Sequence, residues 1–278
     1  MRFEVAGELR FFAESVRGAI GDWEPEREPD LGGWQDDRDD GLAARLSAAG
    51  WSELWAGDEL VDAVVAGGIE LGRAAAPLCL LDEATLGAPV WVDGRSRHGI
   101  GAHVLAVPRP GGGLAYGRPV SEPEREATLD GSGTVRVAVG ELEELDPDDV
   151  GVRWQAWSAA TLAYLAGLGR AALELSVDHA RAREQFGAPL ASLPAVQSRL
   201  ADAALTADAT TLLAWAPGSG GLRDADLLWA GSACCEVAAS AIQVHGAIGF
   251  ALESGLHRHY RRARSAASWA TAVCEAAR

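Results

Sequence analysis

The stretch RAREQFGAPL, Arg181 to Leu190, decides how the rest of the chain is read. It holds two arginines, a glutamine, an aromatic ring, a glycine and a proline within a few residues. It closes a long apolar pattern of helical period, and a second such pattern follows it. Gly187 and Pro189 are the residues expected to stop the first helix. That arrangement holds Arg183, Gln185 and Phe186 at an exposed helix end. Two readings stay open from these residues alone. The stretch is a helix terminus with basic side chains set against the helix dipole, or it offers a guanidinium, an amide and an aromatic face to a ligand.

Working outward, three further helical patterns follow, at Pro194 to about Ala216, Leu222 to about His245, and Glu253 to about Ala277. The helix that the stretch closes runs from about Gly151 to Phe186 through Leu162, Leu165, Leu168, Leu173 and Val177. It is about 50 Å long at 1.5 Å per residue. The preceding DPDDVGVRW supplies acids suited to a helix N-terminus. Four long helices with short connections make residues 149–278 a four-helix bundle. Upstream, residues 88–148 change character. PVWVDG, HVLAVPRP, GGGLAYGRPV and GTVRVAVGEL are short β-rich runs broken by Gly and Pro, with room for about five or six strands. Gly111 to Gly113 lacks the following helix and the lysine of a phosphate loop, so it reads as a turn.

Residues 1–87 return to helical text. Phe3, Leu9, Phe12, Val16 and Ile20 mark one helix. Leu42, Leu46 and Ala49 mark a second, with Gly50 as its cap. Val61, Val64, Val65, Ile69 and Leu71 mark a third that ends near Pro77. Between the first two lies Asp22 to Asp40, a solvated acidic loop or linker. The fold class is therefore α+β, multi-domain and mainly α. A helical N-terminal domain is followed by a reduced β middle domain and the bundle.

Charge narrows the function. The chain carries 24 basic and 40 acidic residues, a formal charge of -16. A nucleic-acid partner or an anionic membrane surface needs a basic face, so both are excluded. Every basic residue is arginine, so the cationic donors are planar and permanently charged. Cys79, Cys234, Cys235 and Cys274 form no CxxC pair and no zinc spacing, so no metal site is expected. The opening MRFEVAGELRFF has no apolar core of signal-peptide length. The uncharged run between Arg153 and Arg170 is too short to span a bilayer. A soluble, cytoplasmic protein is expected.

A second motif, QVHGAIGF from Gln243 to Phe250, ends the third bundle helix. Gln243 and Gly246 are three apart and share a face. Gly246 permits close approach of a ligand or a backbone, and Gly249 is a natural C-cap. A helix end with a satisfied His245 is the plainer reading. Together the two motifs carry a resemblance. ARAREQFGAPLASLPAVQSRLAD resembles the acyl-CoA dehydrogenase pattern A-x-x-R-x-Q-F-G-x-P-I followed by x-x-x-Q-x-x-L-A-D. QVHGAIGFALESGLHRHYRRAR resembles that family's Q-x-H-G-G-x-G-F-x-x-E-x-x-L-x-x-x-x-R-x-A. LAARLSAAGWSEL and GIELGRAAAPL are similar to its N-terminal helical domain, and the order of domains agrees.

The resemblance implies that these motifs hold the ADP half of FAD across a subunit interface. Arg183 would bind the pyrophosphate through its planar fork. Gln185 and Phe186 would lie along the cofactor, and Gln243 and Gly246 would pack at its adenosine end. Ala247 stands where the family has its second glycine, adding a methyl group to that approach. The family's catalytic glutamate has no counterpart. No I-Y-E-G segment follows the last motif. The alternative position, about 29 residues before the motif phenylalanine, is Trp157, which cannot act as a base. Glu174 and Glu184 read as solvated. The T-E-P-x-A-G-S-D, W-I-T-N and P-E-E-Y-G-G stretches are absent. The expectation is a short non-catalytic subunit of a heterotetrameric acyl-CoA dehydrogenase, of the actinobacterial type acting on steroid side-chain CoA thioesters. FAD would be shared with a longer partner subunit that supplies the base and binds the acyl-CoA. An FAD-free scaffold and a self-sufficient enzyme with a displaced base are the alternatives.

Overall fold

One long helix is the axis on which the other elements hang. The computed structural model describes residues 7–21, 23, 40–51, 54, 60–97, 101–126, 128, 133–216 and 220–278. Helices α1 (Gly7–Ile20), α2 (Asp40–Ala48), α3 (Leu60–Arg73) and α4 (Cys79–Leu86) come first. Strands β1 (Trp91–Val92), β2 (Arg95–Arg97), β3 (Leu105–Arg109), β4 (Gly113–Pro119), β5 (Glu124–Arg125), β6 (Thr134–Arg136) and β7 (Val139–Glu144) follow. The axis is α5 (Pro147–Ala182), and after it come the short strands β8 (Glu184–Gln185) and β9 (Ala188–Pro189). Helices α6 (Pro194–Trp215), α7 (Asp224–His245) and α8 (Leu256–Ala277) complete the bundle. The acidic Asp22 to Asp40 segment lies almost wholly outside the described residues.

Helix α5 begins where its sequence permits. Asp146 is the N-cap and accepts from the Asp148 N–H at 3.0 Å, with Pro147 in the first turn. The start is thus upstream of Gly151. Every residue from Ala156 to Gly169 is buried, because α3 packs on one side and α6, α7 and α8 pack on others. The crossing with α3 is backbone to backbone. A Cβ on Gly72 would lie 2.1 Å from the Tyr164 carbonyl oxygen, and one on Gly167 would lie 2.1 Å from that of Ile69. No residue larger than glycine fits either place at this spacing. The Tyr164 hydroxyl then donates to the Ala76 carbonyl at 2.6 Å, just past the end of α3.

Other buried aromatic tips bind segments together in the same way. Trp51 Nε1 donates to the Leu80 carbonyl at 2.9 Å and Trp91 Nε1 to that of Val137 at 2.8 Å. Trp154 Nε1 reaches the Gly112 carbonyl at 3.0 Å, holding the β3–β4 turn against α5. The strands form two antiparallel sheets, ordered β1-β2-β6-β5 and β3-β4-β7. A parallel bridge between Val90 and Ala106 joins them. Seven strands stand here among the described residues, against an expectation of five or six, because several are only two or three residues long.

Three local expectations need correction. Helix α5 ends at Ala182, not at Phe186: Arg183 is extended at φ -84°, ψ 125°, and the next residues form a hairpin. Helix α7 is capped by Gly246, at φ 63°, whereas Gly249 is buried in a following 3-10 turn, Gly246–Phe250. Helix α4 was not anticipated. All of it but Glu83 is buried, so it has no polar face to set a helical period.

Candidate functional site

The position expected for a base lies at the centre of the molecule. Trp157 is fully buried and stacks edge-on with Trp154, ring centroids 5.6 Å apart. Its indole Nε1 donates at 2.9 Å to Oδ1 of Asp82, a wholly buried carboxylate on α4. Arg97 on β2 donates to both Asp82 oxygens, at 3.1 and 3.3 Å, and its guanidinium lies 4.9 Å over the Trp269 ring of α8. The Val90 N–H adds a long contact at 3.5 Å. Both carboxylate oxygens are thus engaged by donors from α5, β2 and the Val90 backbone. A buried charge needs such compensation, and Asp82 keeps no free oxygen to take a substrate proton. Asp82 and Arg97 escaped the sequence reading because their pairing joins a helix to a strand of another layer. Glu174 and Glu184 are exposed. Glu174 pairs with Arg73 at 2.9 Å, and Glu184 lies in the β8–β9 hairpin.

The cofactor candidates lie at one end of the bundle. Phe186 and Gly187 form the hairpin tip, both with positive φ (55° and 81°), as two-residue hairpin turns require. The hairpin pairs Glu184 with Pro189 and Gln185 with Ala188, and the Leu190 N–H closes it onto the Arg183 carbonyl at 2.8 Å. A phenylalanine in the left-handed region costs about 1–3 kcal/mol, and such strain collects at functional sites. This one is also 94% exposed. Ala180, Leu190 and Val244 share an apolar cluster that brings the first motif beside the end of α7. There His179 stacks on His245 at 4.2 Å and 22°. His245 is satisfied as expected, with Nδ1 2.9 Å from the Ala241 carbonyl. Burial, then His245 and Arg183, hold the His179 ring below its ordinary pKa.

Arg183, Gln185, Gln243, Gly246 and Ala247 are all exposed at this end, with Ile248 and Phe250 at 54% and 75%. No described side chain hydrogen-bonds or ion-pairs with the guanidinium of Arg183 or the amides of Gln185 and Gln243. A Cβ on Gly246 would meet nothing within 4 Å, so that surface is open to another chain or a ligand. The donor set suits a diphosphate attached to an aromatic base: one forked cation, two neutral amides, and bare aromatic faces. The ADP portion of FAD fits this donor set.

Other features carry less. A cavity of about 380 Å³ lies away from this end, lined by Trp51, Leu80, Glu83, Ala88 and His103 among others. The four cysteines are free thiols, and burial pushes that of Cys274 up to about 11. Among the described residues no group of three or more metal-ligating side chains occurs. Asp224–Phe250 is long and apolar enough to cross a membrane by composition, and most of that segment is buried in the bundle.

Residues 157–270 match the acyl-CoA dehydrogenase C-terminal domain. The short-chain specific acyl-CoA dehydrogenase of Bos taurus mitochondria is 30% identical over 199 residues, 61% of this chain and 45% of that protein. The chain spans less than half the length of the curated relatives it matches. Among solved structures, the "steroid ACAD" Tcur3481-Tcur3483 variant superposes with a TM-score of 0.75 at 21% identity, covering 95% of each chain. The ChsE4-ChsE5 complex from Mycobacterium tuberculosis gives 0.71 at 20%, covering 99% of this chain and 96% of that one. At such identities the likeness speaks for the fold.

Proposed function

We propose, from the match of residues 157–270 to the acyl-CoA dehydrogenase C-terminal domain and from the likeness of fold, that the protein is the non-catalytic subunit of a heteromeric acyl-CoA dehydrogenase. It holds the ADP half of FAD, while a longer partner subunit supplies the base, the flavin-ring site and the acyl-CoA pocket. One observation carries the reading. The place of the base is occupied by Trp157, sealed onto the Asp82–Arg97 pair, whereas the ADP-binding set stands exposed.

Each residue then has a task. Arg183 grips the diphosphate bidentately. Gln185 and Gln243 donate from their amides, and Phe186 covers an aromatic face. Gly246 leaves the backbone approachable, and Ala247 narrows that approach by one methyl group. FAD, when bound, supplies the acceptor for the β-hydride of the thioester. Two structural neighbours, one a steroid ACAD and one a two-protein complex, support a partner subunit; the heterotetramer, the steroid side-chain CoA thioester and the cytoplasmic location are part of the same proposal. The division into residues 1–87, 88–148 and 149–278 belongs to the same reading.

Co-expression with the partner tests it. The complex should be yellow and should desaturate acyl-CoA, and the chain alone should be colourless or poorly soluble. A yellow, active homo-oligomer of this chain alone would sink the proposal. FAD content unchanged by Arg183→Ala would favour a scaffold without cofactor contacts.

A further inference from the structure

The stacked histidines at the exposed end have no task in the reading above. Helices α5 and α7 finish side by side, and their last turns place His179 and His245 ring on ring at 4.2 Å. The geometry fixes one tautomer. His245 Nδ1 lies 2.9 Å from the Ala241 carbonyl, so Nδ1 carries the hydrogen and the neutral ring has its lone pair on Nε2. At this distance the neighbouring ring is one of the causes that hold His179 below its ordinary pKa. Arg183 follows His179 by four residues as the cap of α5, its N–H donating to the His179 carbonyl at 2.8 Å. The charged groups that act on His179 are His245 from α7 and Arg183 just past the end of α5. The 3-10 turns Leu190–Ser192 and Gly246–Phe250 at this end hold no charged residue. Helix α6 contributes Val196 and Leu200, which are apolar. Asp178 on α5, Glu184 in the hairpin, Arg199 and Asp202 on α6, and Glu253 are other charged residues of the surrounding elements, and none of them is among the charges that act on His179.

We propose that the His179–His245 pair is the proton-accepting part of the diphosphate contact. An anion gripped by Arg183 supplies the missing negative charge, and one proton from solvent enters the pair as the anion binds. The pair then becomes a second cation beside the guanidinium. This rests on the ADP half-site proposed above. It adds that cofactor binding at this end consumes a proton and tightens as pH falls.

Calorimetry with ADP on the partner complex freed of FAD tests this, in two buffers of different ionisation enthalpy. Roughly half a proton should be taken up per ADP bound near pH 7, and affinity should rise about fivefold from pH 8 to pH 6. His179→Phe and His245→Phe each keep a ring in the stack. Each should abolish the uptake and flatten the pH dependence. Binding that depends on Arg183 but takes up no proton overturns the proposal and leaves the half-site standing. Uptake that persists in both variants also overturns it. An absence of ADP binding at every pH from 6 to 8 overturns the half-site reading with it.

Discussion

The middle of α5 and its C-terminal end hold similar chemistry under opposite conditions. At the middle, an arginine, a carboxylate and an indole are buried, and the Asp82 carboxylate is engaged from α5, β2 and the Val90 backbone. At the end, an arginine, two amides and a phenylalanine stand exposed with no partner among the described side chains. In the first set both Asp82 oxygens are taken by internal donors, although the buried Arg97 Nε has no hydrogen-bond partner. The second has donors to spend on something outside the chain. Residue type alone does not separate a binding site from a structural knot, because the same guanidinium serves in both. What separates them is whether internal groups have already taken the hydrogen bonds.

The comparison breaks most visibly at Asp82. Asp82→Ala leaves Arg97 charged and buried without its partner, and should lower the unfolding free energy by about 3–5 kcal/mol in urea titrations. Removing both charges as Asp82→Leu with Arg97→Met should cost clearly less, and equal losses would contradict the paired arrangement. Next comes Gly167→Ala, whose new methyl group meets the Ile69 carbonyl. A loss of about 3 kcal/mol is expected, the upper end of overpacking costs, read as a fall in melting temperature. Arg183→Ala should leave stability within about 0.5 kcal/mol. Instead it should weaken FAD retention in the partner complex by about 2 kcal/mol, roughly thirtyfold, measured by equilibrium dialysis. Phe186→Asn relieves the left-handed strain, so it should gain up to about 1 kcal/mol while impairing assembly with the partner. Thermal melts and analytical ultracentrifugation read the two effects separately.

The smallest effect is that of acid. His179 has a lowered pKa in the folded chain, from burial first and then from His245 and Arg183. The unfolded chain therefore takes the proton first, near its ordinary value of about 6.5. Stability is complete above that pH and declines as pH falls through it. Melts from pH 8 to pH 5 should show this decline, and His179→Phe should reduce it.

How much of this was legible in the sequence differs between the same two regions. The exposed end was legible because its residues are consecutive. Arg183, Gln185 and Phe186 lie in one stretch, Gln243 and Gly246 in another, and each stretch is a helix terminus with punctuation. The long helices were legible for the same reason, since apolar period is local information. The buried centre was not. Asp82 and Trp157 are 75 positions apart, and nothing near either announces the other. Helix α4 hid because burial on every side erases amphipathic period. The stacking of His179 on His245 likewise needed the tertiary placement of α5 against α7. The two-residue hairpin at Phe186 was missed because a bulky aromatic is not the residue that turn chemistry leads one to expect at positive φ.

The crossing of α3 and α5 at Gly72 and Gly167 has a mechanical consequence. Where side chains separate two helices, rotamer changes absorb small displacements. Here carbonyl oxygens sit where methyl groups would be, and there is no such slack. A push on α3 is passed directly into α5, which runs on unbroken to Ala182. From Gly167 to Arg183 that is a rod of about 24 Å at 1.5 Å per residue. Helix α3 is thus tied through one continuous helix to the turn that carries Arg183.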